Sequence, residues 1–234
     1  MAVLKGLLAS VPLIAAAAVL LLAPAGIVGG VWAWPRAWGF LAAFGLASLV
    51  GSVTLAVTAP ASFKVRQQGL VAARAKRQPL VDAVGSIVYL LYMMAWTAFI
   101  PVDVFRLRLL PPPGAAVSAL GAAATLAGVA VAYAAIAQNR FAAPTIHDQT
   151  PDGQRVIDTG LYGVVRHPFY AGMLLVYGGA ALWLGSYAAL IGASGFLVMT
   201  LARIVIEEAY LRRMLPAYAG YARRVRGRLI PHLL

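Results

Sequence analysis

"RHPFYAGMLLVYGGAALWLGSYAALIGASGFLVMTLAR", Arg166 to Arg203, decides the fold. Between its outer basic residues lie 35 consecutive residues without a charge, Pro168 to Ala202. A membrane helix needs about 20 apolar residues to cross a hydrocarbon core about 30 Å thick. The run is too long for one such helix. "LGSY" at Leu184–Tyr187 divides it into two suitable lengths, with Gly and Ser at a tight turn. The stretch therefore reads as a helical hairpin. Its two ends return to the same surface, so Arg166 and His167 face Glu207 and Glu208 across the hairpin mouth.

The rest of the chain extends this pattern. Charge-free intervals predict spans at about residues 7–28, 38–58 and 83–102, and a fourth from the "PPPG" of Pro111–Gly114 to near Gln138. With the hairpin, these make six. The expected fold is an all-α, polytopic transmembrane bundle whose C-terminal segment caps the hairpin. Of 234 residues, 62% are hydrophobic and 11% charged, and the mean hydropathy is +0.83. Soluble domains carry roughly 25% charged residues. The net charge of +12 does not imply nucleic acid, because the basic residues sit in loops between apolar spans. With the N-terminus inside, sixteen Lys and Arg fall on the inner side and only Arg36, Arg106 and Arg108 outside. Both termini are thus expected in the cytoplasm. The basic stretch Ser62–Gln78, with Lys64, Arg66, Arg74, Lys76 and Arg77, reads as an orientation signal, or else as a segment lying on an anionic leaflet. Residues 1–25 also carry features of a signal peptide, with "APA" at Ala23–Ala25.

Polar chemistry collects on the inner side, in the loop Asn139–His167 and in the segment Arg203–Pro231. Pro168 suits the first position of a helix and puts His167 at its N-cap. The helix start favours an anion, and Arg166 adds a fork-shaped donor. Gly172, Gly178 and Gly179 permit close approach to the backbone. Arg203 and Glu207, and likewise Glu208 and Arg212, are spaced i, i+4 and read as surface ion pairs. Adjacent glutamates point about 100° apart on a helix, so at most one faces the mouth squarely. The absence of cysteine excludes thiolate nucleophiles and cysteine-ligated zinc. His147, His167 and His232 are too scattered in sequence to suggest a metal site.

"GLYGVVRHPFYAG" at Gly160–Gly172, "RIVIEEAYLRRML" at Arg203–Leu215 and "YAGYARRVRGRLIP" at Tyr218–Pro231 resemble the isoprenylcysteine carboxyl methyltransferase family and the related phospholipid methyltransferases. The resemblance covers about the last 95 residues. It implies a methyltransferase core over 111–234, preceded by N-terminal membrane spans over 1–110. It implies S-adenosylmethionine as methyl donor, bound in a cytoplasm-facing pocket under the C-terminal segment. It also implies a lipophilic acceptor entering from the bilayer, a prenylcysteine-type carboxylate or another lipid, with no metal and no nucleic acid. Carried over by position, His167, Pro168, Tyr170, Gly172, Glu208 and Leu211 are expected at the cofactor. Arg166, Tyr162 and Glu207 are expected at the reacting group. Two other readings stay open at this level. One is a membrane sterol-reductase-like enzyme holding NADPH through Arg223, Arg224, Arg226 and Arg228. The other is a transporter without enzymatic activity, against which the scarcity of ionisable groups at mid-membrane weighs.

Overall fold

The structure, a computed structural model, describes residues 1–75 and 80–231. Lys76, Arg77 and His232 lie outside the described residues. Eight α-helices are described: α1 (Ala2–Gly29), α2 (Pro35–Thr58), α3 (Pro60–Ala75), α4 (Leu80–Val102), α5 (Ala115–Gln138), α6 (Pro168–Leu184), α7 (Tyr187–Met214) and α8 (Tyr218–Arg224). Five stretches are long and apolar enough to cross a membrane: α1, α2, Leu80–Leu107 (α4 with the turn after it), α5 and α7. Helix α6 is apolar but has only 17 residues. The basic stretch Ser62–Gln78 begins within a helix: α3 starts at Pro60 and runs to Ala75.

The hairpin turn is built as the sequence requires. Gly185 takes a left-handed φ of 100° and closes α6 through an N–H bond to Ala181 O. Ser186 then caps α7, its Oγ accepting from Ala189 N at 2.9 Å. The same hydroxyl donates to the buried Asp103 carboxylate at 2.6 Å, and that carboxylate also accepts from Leu109 N at 3.1 Å. The turn is thereby fastened to the irregular segment after α4.

At the other end the two hairpin arms differ in reach. At about 1.5 Å per residue, 17 residues of α6 span roughly 25 Å and 28 residues of α7 roughly 42 Å. The surplus on α7 lifts Glu207, Glu208 and Leu211 beyond the start of α6, where they form a wall over it.

Glycines set the spacing of α5 and α6. A Cβ on Gly172 would stand 2.7 Å from Gly128 O, and one on Gly179 would stand 2.6 Å from Gly121 O. Two glycine pairs one heptad apart let the antiparallel backbones touch, the small-residue packing that membrane helices favour. Helix α6 is then enclosed by α2 and α7. The main core draws Leu21, Phe40, Trp96, Ile100, Tyr177, Leu184 and Phe196 from α1, α2, α4, α6 and α7, so N-terminal and C-terminal helices share it. Tyr177 and Phe196 stack at 3.9 Å between ring centres, and Trp96 and Tyr92 close on Phe196 edge-on.

Gly128→Val is expected to destabilise the protein by about 1–3 kcal/mol through overpacking against α6. Gly39→Ala, where an added Cβ meets nothing within 4 Å, should leave the unfolding midpoint in detergent unchanged or slightly raised. Equal behaviour of the two variants would refute this account of the α5–α6 contact.

Candidate functional site

His167 is the N-cap of α6 and Pro168 its first residue. The two residues before the helix are gripped from the C-terminal segment. Four consecutive carbonyls of that segment accept hydrogen bonds from them. Arg166 Nη1 donates to Val225 O and Arg226 O, each at 2.7 Å. The backbone N–H of Arg166 donates to Gly227 O and that of His167 to Arg228 O, both at 2.9 Å. Arg166 Nε donates to Glu208 Oε1 at 2.7 Å, and His167 Nε2 lies 3.2 Å from the same oxygen. The other Glu208 oxygen takes Arg228 at 3.3 Å and Arg212 at 3.8 Å. Glu208 is 3% exposed and Arg166 9%, so this is a desolvated ion-pair cluster, with the hydrogen bonds that such burial demands.

A second cluster lies beside it. Arg203 was read as the helical partner of Glu207, but it turns elsewhere. Its Nη1 stands 2.7 Å from the buried Asp82 carboxylate of α4 and 3.1 Å from Ser86 Oγ, and its Nη2 donates to Pro144 O at 2.7 Å. Its Nε donates to Tyr170 Oη at 2.9 Å, and the Tyr170 hydroxyl in turn donates to Glu207 Oε2 at 2.6 Å. One arginine thus ties α4, the 139–167 loop, α6 and α7 together. Asp82 bounds a predicted span and drew no attention in the sequence, because its partner lies far along the chain. The i, i+4 pair of Glu208 with Arg212 does form, at 3.8 Å, but it is a minor contact beside Arg166.

Between these clusters opens a cavity of about 360 Å³. It is lined by the loop, α6, α7 and the C-terminal segment, and it extends to Tyr89 of α4 and Tyr177 of α6. Of the expected site residues, Arg166, Tyr162, Glu207, His167, Tyr170 and Leu211 line it. Pro168, Gly172 and Glu208 do not line it. Gly172 spends its missing side chain on contact with Gly128, and Glu208 is enclosed by its cations. The glutamate pair is therefore divided: Glu207 faces the cavity and Glu208 holds the structure beside it.

The cavity has a further member that the sequence offered only as part of a motif. Tyr218 of α8 is 4% exposed and lines it, and its hydroxyl has no hydrogen-bond partner among the described residues. Its neighbour in the motif, Tyr221, donates to Tyr162 O at 2.8 Å. Burial pushes the Tyr162 phenol up to about 12 and raises Tyr218 and Tyr221 as well. All three therefore keep their protons at neutral pH, and Tyr221 is seen donating its own. Buried polar groups are almost always satisfied, so an unpaired buried donor on a residue that lines a cavity is a candidate partner for a ligand acceptor once a small rotation brings it to the wall. Among the described residues no group of three or more His, Cys, Asp or Glu could hold a metal ion.

Residues 116–217, from the first turn of α5 to the threshold of α8, match the model of the phospholipid methyltransferase family. No curated protein matches the chain. The family resemblance carried by the Gly160–Gly172 and Glu207–Glu208 motifs is thus met by a family model spanning both. With five membrane-length apolar helices, the match points to an integral membrane methyltransferase.

Arg166→Lys keeps the charge but loses the planar fork that serves Glu208 and two carbonyls together. A pure orientation signal would tolerate it. The cap should instead open more readily, and trypsin should cut after Arg223, Arg224 or Arg226 roughly tenfold faster. That corresponds to about 1.4 kcal/mol of local opening free energy. An unchanged cleavage rate in the folded variant would show that the fork does not hold the cap.

Proposed function

We propose that this protein transfers a methyl group from S-adenosylmethionine, bound in the cavity beneath the C-terminal segment, to a lipophilic acceptor arriving from the bilayer, with that end of the bundle in the cytoplasm. The observation that carries the reading is the composition of the cavity wall. The cap side is lined by Tyr218, whose buried hydroxyl is unpaired among the described residues, together with His167 and Leu211. The membrane side offers Met173, Tyr177, Tyr89 and Thr200. A volume of about 360 Å³ is at the lower end of the range for small-molecule sites, about 300–1,000 Å³.

The donor set suits this cofactor. Tyr218 can donate to a carboxylate or a ring nitrogen. Glu207, whose carboxylate accepts a single hydrogen bond among the described residues, from the Tyr170 hydroxyl, can accept from an amino group or ribose hydroxyls. The faces of Tyr162 and Tyr170 suit a sulfonium, a contact of about 0.5–2 kcal/mol. When bound, the cofactor supplies an electrophilic methyl group that leaves a neutral thioether after in-line displacement. The protein then has to align the partners and exclude water. Arg166 and Tyr162 are assigned to the reacting end because both are buried and line the cavity. Arg166 Nη2 has no hydrogen-bond partner among the described residues, which leaves it for the acceptor. Glu207 is the one acidic residue lining the cavity among the described residues. It would take the acceptor's proton if the acceptor is an amine, and is not needed for a carboxylate.

In the NADPH reading, the four arginines of the C-terminal segment would hold the 2′-phosphate. Arg223, Arg224, Arg226 and Arg228 do not line the cavity; Arg224 pairs with Asp158 at 2.7 Å and Arg228 with Glu208.

Isothermal titration of the detergent-purified protein tests the reading: S-adenosylhomocysteine should bind and NADPH should not. Tyr218→Phe should weaken S-adenosylhomocysteine roughly three- to tenfold, the effect of one net hydrogen bond, while thermal stability stays equal or rises. The opposite pattern, with stability lost and affinity kept, would make the tyrosine a packing residue and remove the main support for the site.

A further inference from the structure

Four arginines line the cavity; Arg155 is exposed, and the other three, Arg66, Arg166 and Arg203, differ in how their donors are spent. Arg166 makes three bonds of 2.7 Å, to Glu208 and two carbonyls. Arg203 makes four contacts of 2.7–3.1 Å, including an ion pair with Asp82. Arg66, on α3, has no carboxylate partner among the described residues. Its guanidinium stands 4.5 Å from the centre of the Phe169 ring, and its only hydrogen-bond acceptor among the described residues is Ala142 O at 3.5 Å, the outer limit for such a bond. A guanidinium carries five N–H donors and stays charged at any physiological pH. Half-buried and lining the cavity, it lacks the anion that burial of a charge ordinarily demands.

Arg66 is also held in place. One helical turn earlier, Phe63 is buried against Leu55 and Ala56 of α2 and Ile136 of α5, with Phe169 packed on the same cluster. Residues three apart share a helix face, so the face that anchors α3 also aims Arg66 at the start of α6. The wall it forms belongs to α2, α3 and α5, on the far side of the chain's order from the cap that carries Tyr218. A ligand reaching that wall needs an anionic head at the membrane boundary and an apolar tail.

We propose that Arg66 is the anion-binding residue of the acceptor site: its fork takes the oxyanion, a carboxylate or a phosphate, of the lipophilic methyl acceptor. The assignment to an acceptor rests on the methyltransferase reading; the anion site itself does not. It gives the basic stretch after α2 a role in binding, and it lies outside the segment matched by the family model.

The test uses the full chain in neutral detergent, with decanoate, decyl phosphate and decanol as tail-matched probes in isothermal titration. At least one anion should bind about tenfold or more tightly than decanol, the worth of one charge-assisted contact. Arg66→Gln should reduce that preference to within about twofold, and Arg66→Lys should keep part of it; both should bind S-adenosylhomocysteine like the parent protein. The stronger anion identifies the head group. The proposal is overturned if decanol binds as well as both anions, or if the preference survives in Arg66→Gln. It is also overturned if Arg66→Gln weakens S-adenosylhomocysteine as much as the anion, because the arginine would then hold the cofactor. Should the parent protein fail to bind S-adenosylhomocysteine while the anion preference depends on Arg66, the methyltransferase reading falls and the anion site stands. Arg66→Lys, which keeps the charge and stem, guards against a Gln variant that does not fold.

Discussion

Arg166 cannot leave its place without releasing the C-terminal segment. Its side chain and the two adjacent backbone N–H groups occupy the carbonyls of residues 225–228 in succession, and its remaining strong contact is the Glu208 carboxylate. Everything near the cavity depends on this grip. Without it α8 has no fixed height over α6, Tyr218 does not face the cavity, and His167 loses a backbone bond as well as its carboxylate neighbour. Removing one member of a buried charge cluster leaves the other uncompensated, at about 3–5 kcal/mol. The arrangement is thus better described as a specification of geometry than as a source of net stability, since a well-packed apolar replacement often stabilises as much.

A second constraint lies in the chain's membrane half. The glycine pairs 121–179 and 128–172 bring α5 and α6 into backbone contact, which fixes where α6 begins relative to the loop that α5 feeds. Arg203 then references α7 to three other elements through Asp82, Pro144 O and Tyr170. Because Tyr170 passes its proton donor to Glu207, the position of the cavity's one lining carboxylate is set from α4, more than a hundred residues earlier. The N-terminal helices are in this sense part of the site, although the family model begins only at residue 116.

Much of this was legible in the residues themselves. A charge-free run of 35 residues broken by "LGSY" admits few outcomes except a hairpin, and Gly185 and Ser186 occupy the C-cap and N-cap that their chemistry favours. His167–Pro168 announced the start of α6 for the same local reason. What could not be read was whatever depends on partners distant in sequence. The spacing of Arg203 and Glu207 suggested an ion pair because helical neighbours are all that a local pattern can propose; Asp82 competes for that arginine only after α4 has packed on α7. The division of labour between Glu207 and Glu208 follows from a rotation of about 100° between them, and the sequence does not say which side faces the mouth. Gly172 belongs to a motif that suggests a ligand, yet its contact is a helix. Arg66 was one of sixteen inner basic residues, and a tally of charge gives each the same weight.

The uneven use of the basic residues bears on the kind of chemistry the cavity can serve. A site that stabilised a large developing negative charge would leave several cations with open donors aimed at one point. Here Arg203 is committed to the fold and Arg166 nearly so, leaving chiefly the donors of Arg66, the exposed Arg155, the Nη2 group of Arg166 and the Tyr218 hydroxyl. They come from separate elements, Arg66 from α3, Arg155 and Arg166 from the loop before α6, and Tyr218 from α8, and no single element of the fold gathers them at one point. They are enough to hold two ligands in fixed positions. A displacement in which charge is lost as the reaction proceeds makes that demand and little more: two partners aligned, water kept out, and no group required to form a bond with either. Rigid walls built from satisfied arginines, with isolated donors at the edges, suit such a reaction better than one needing a nucleophile or a concentrated field.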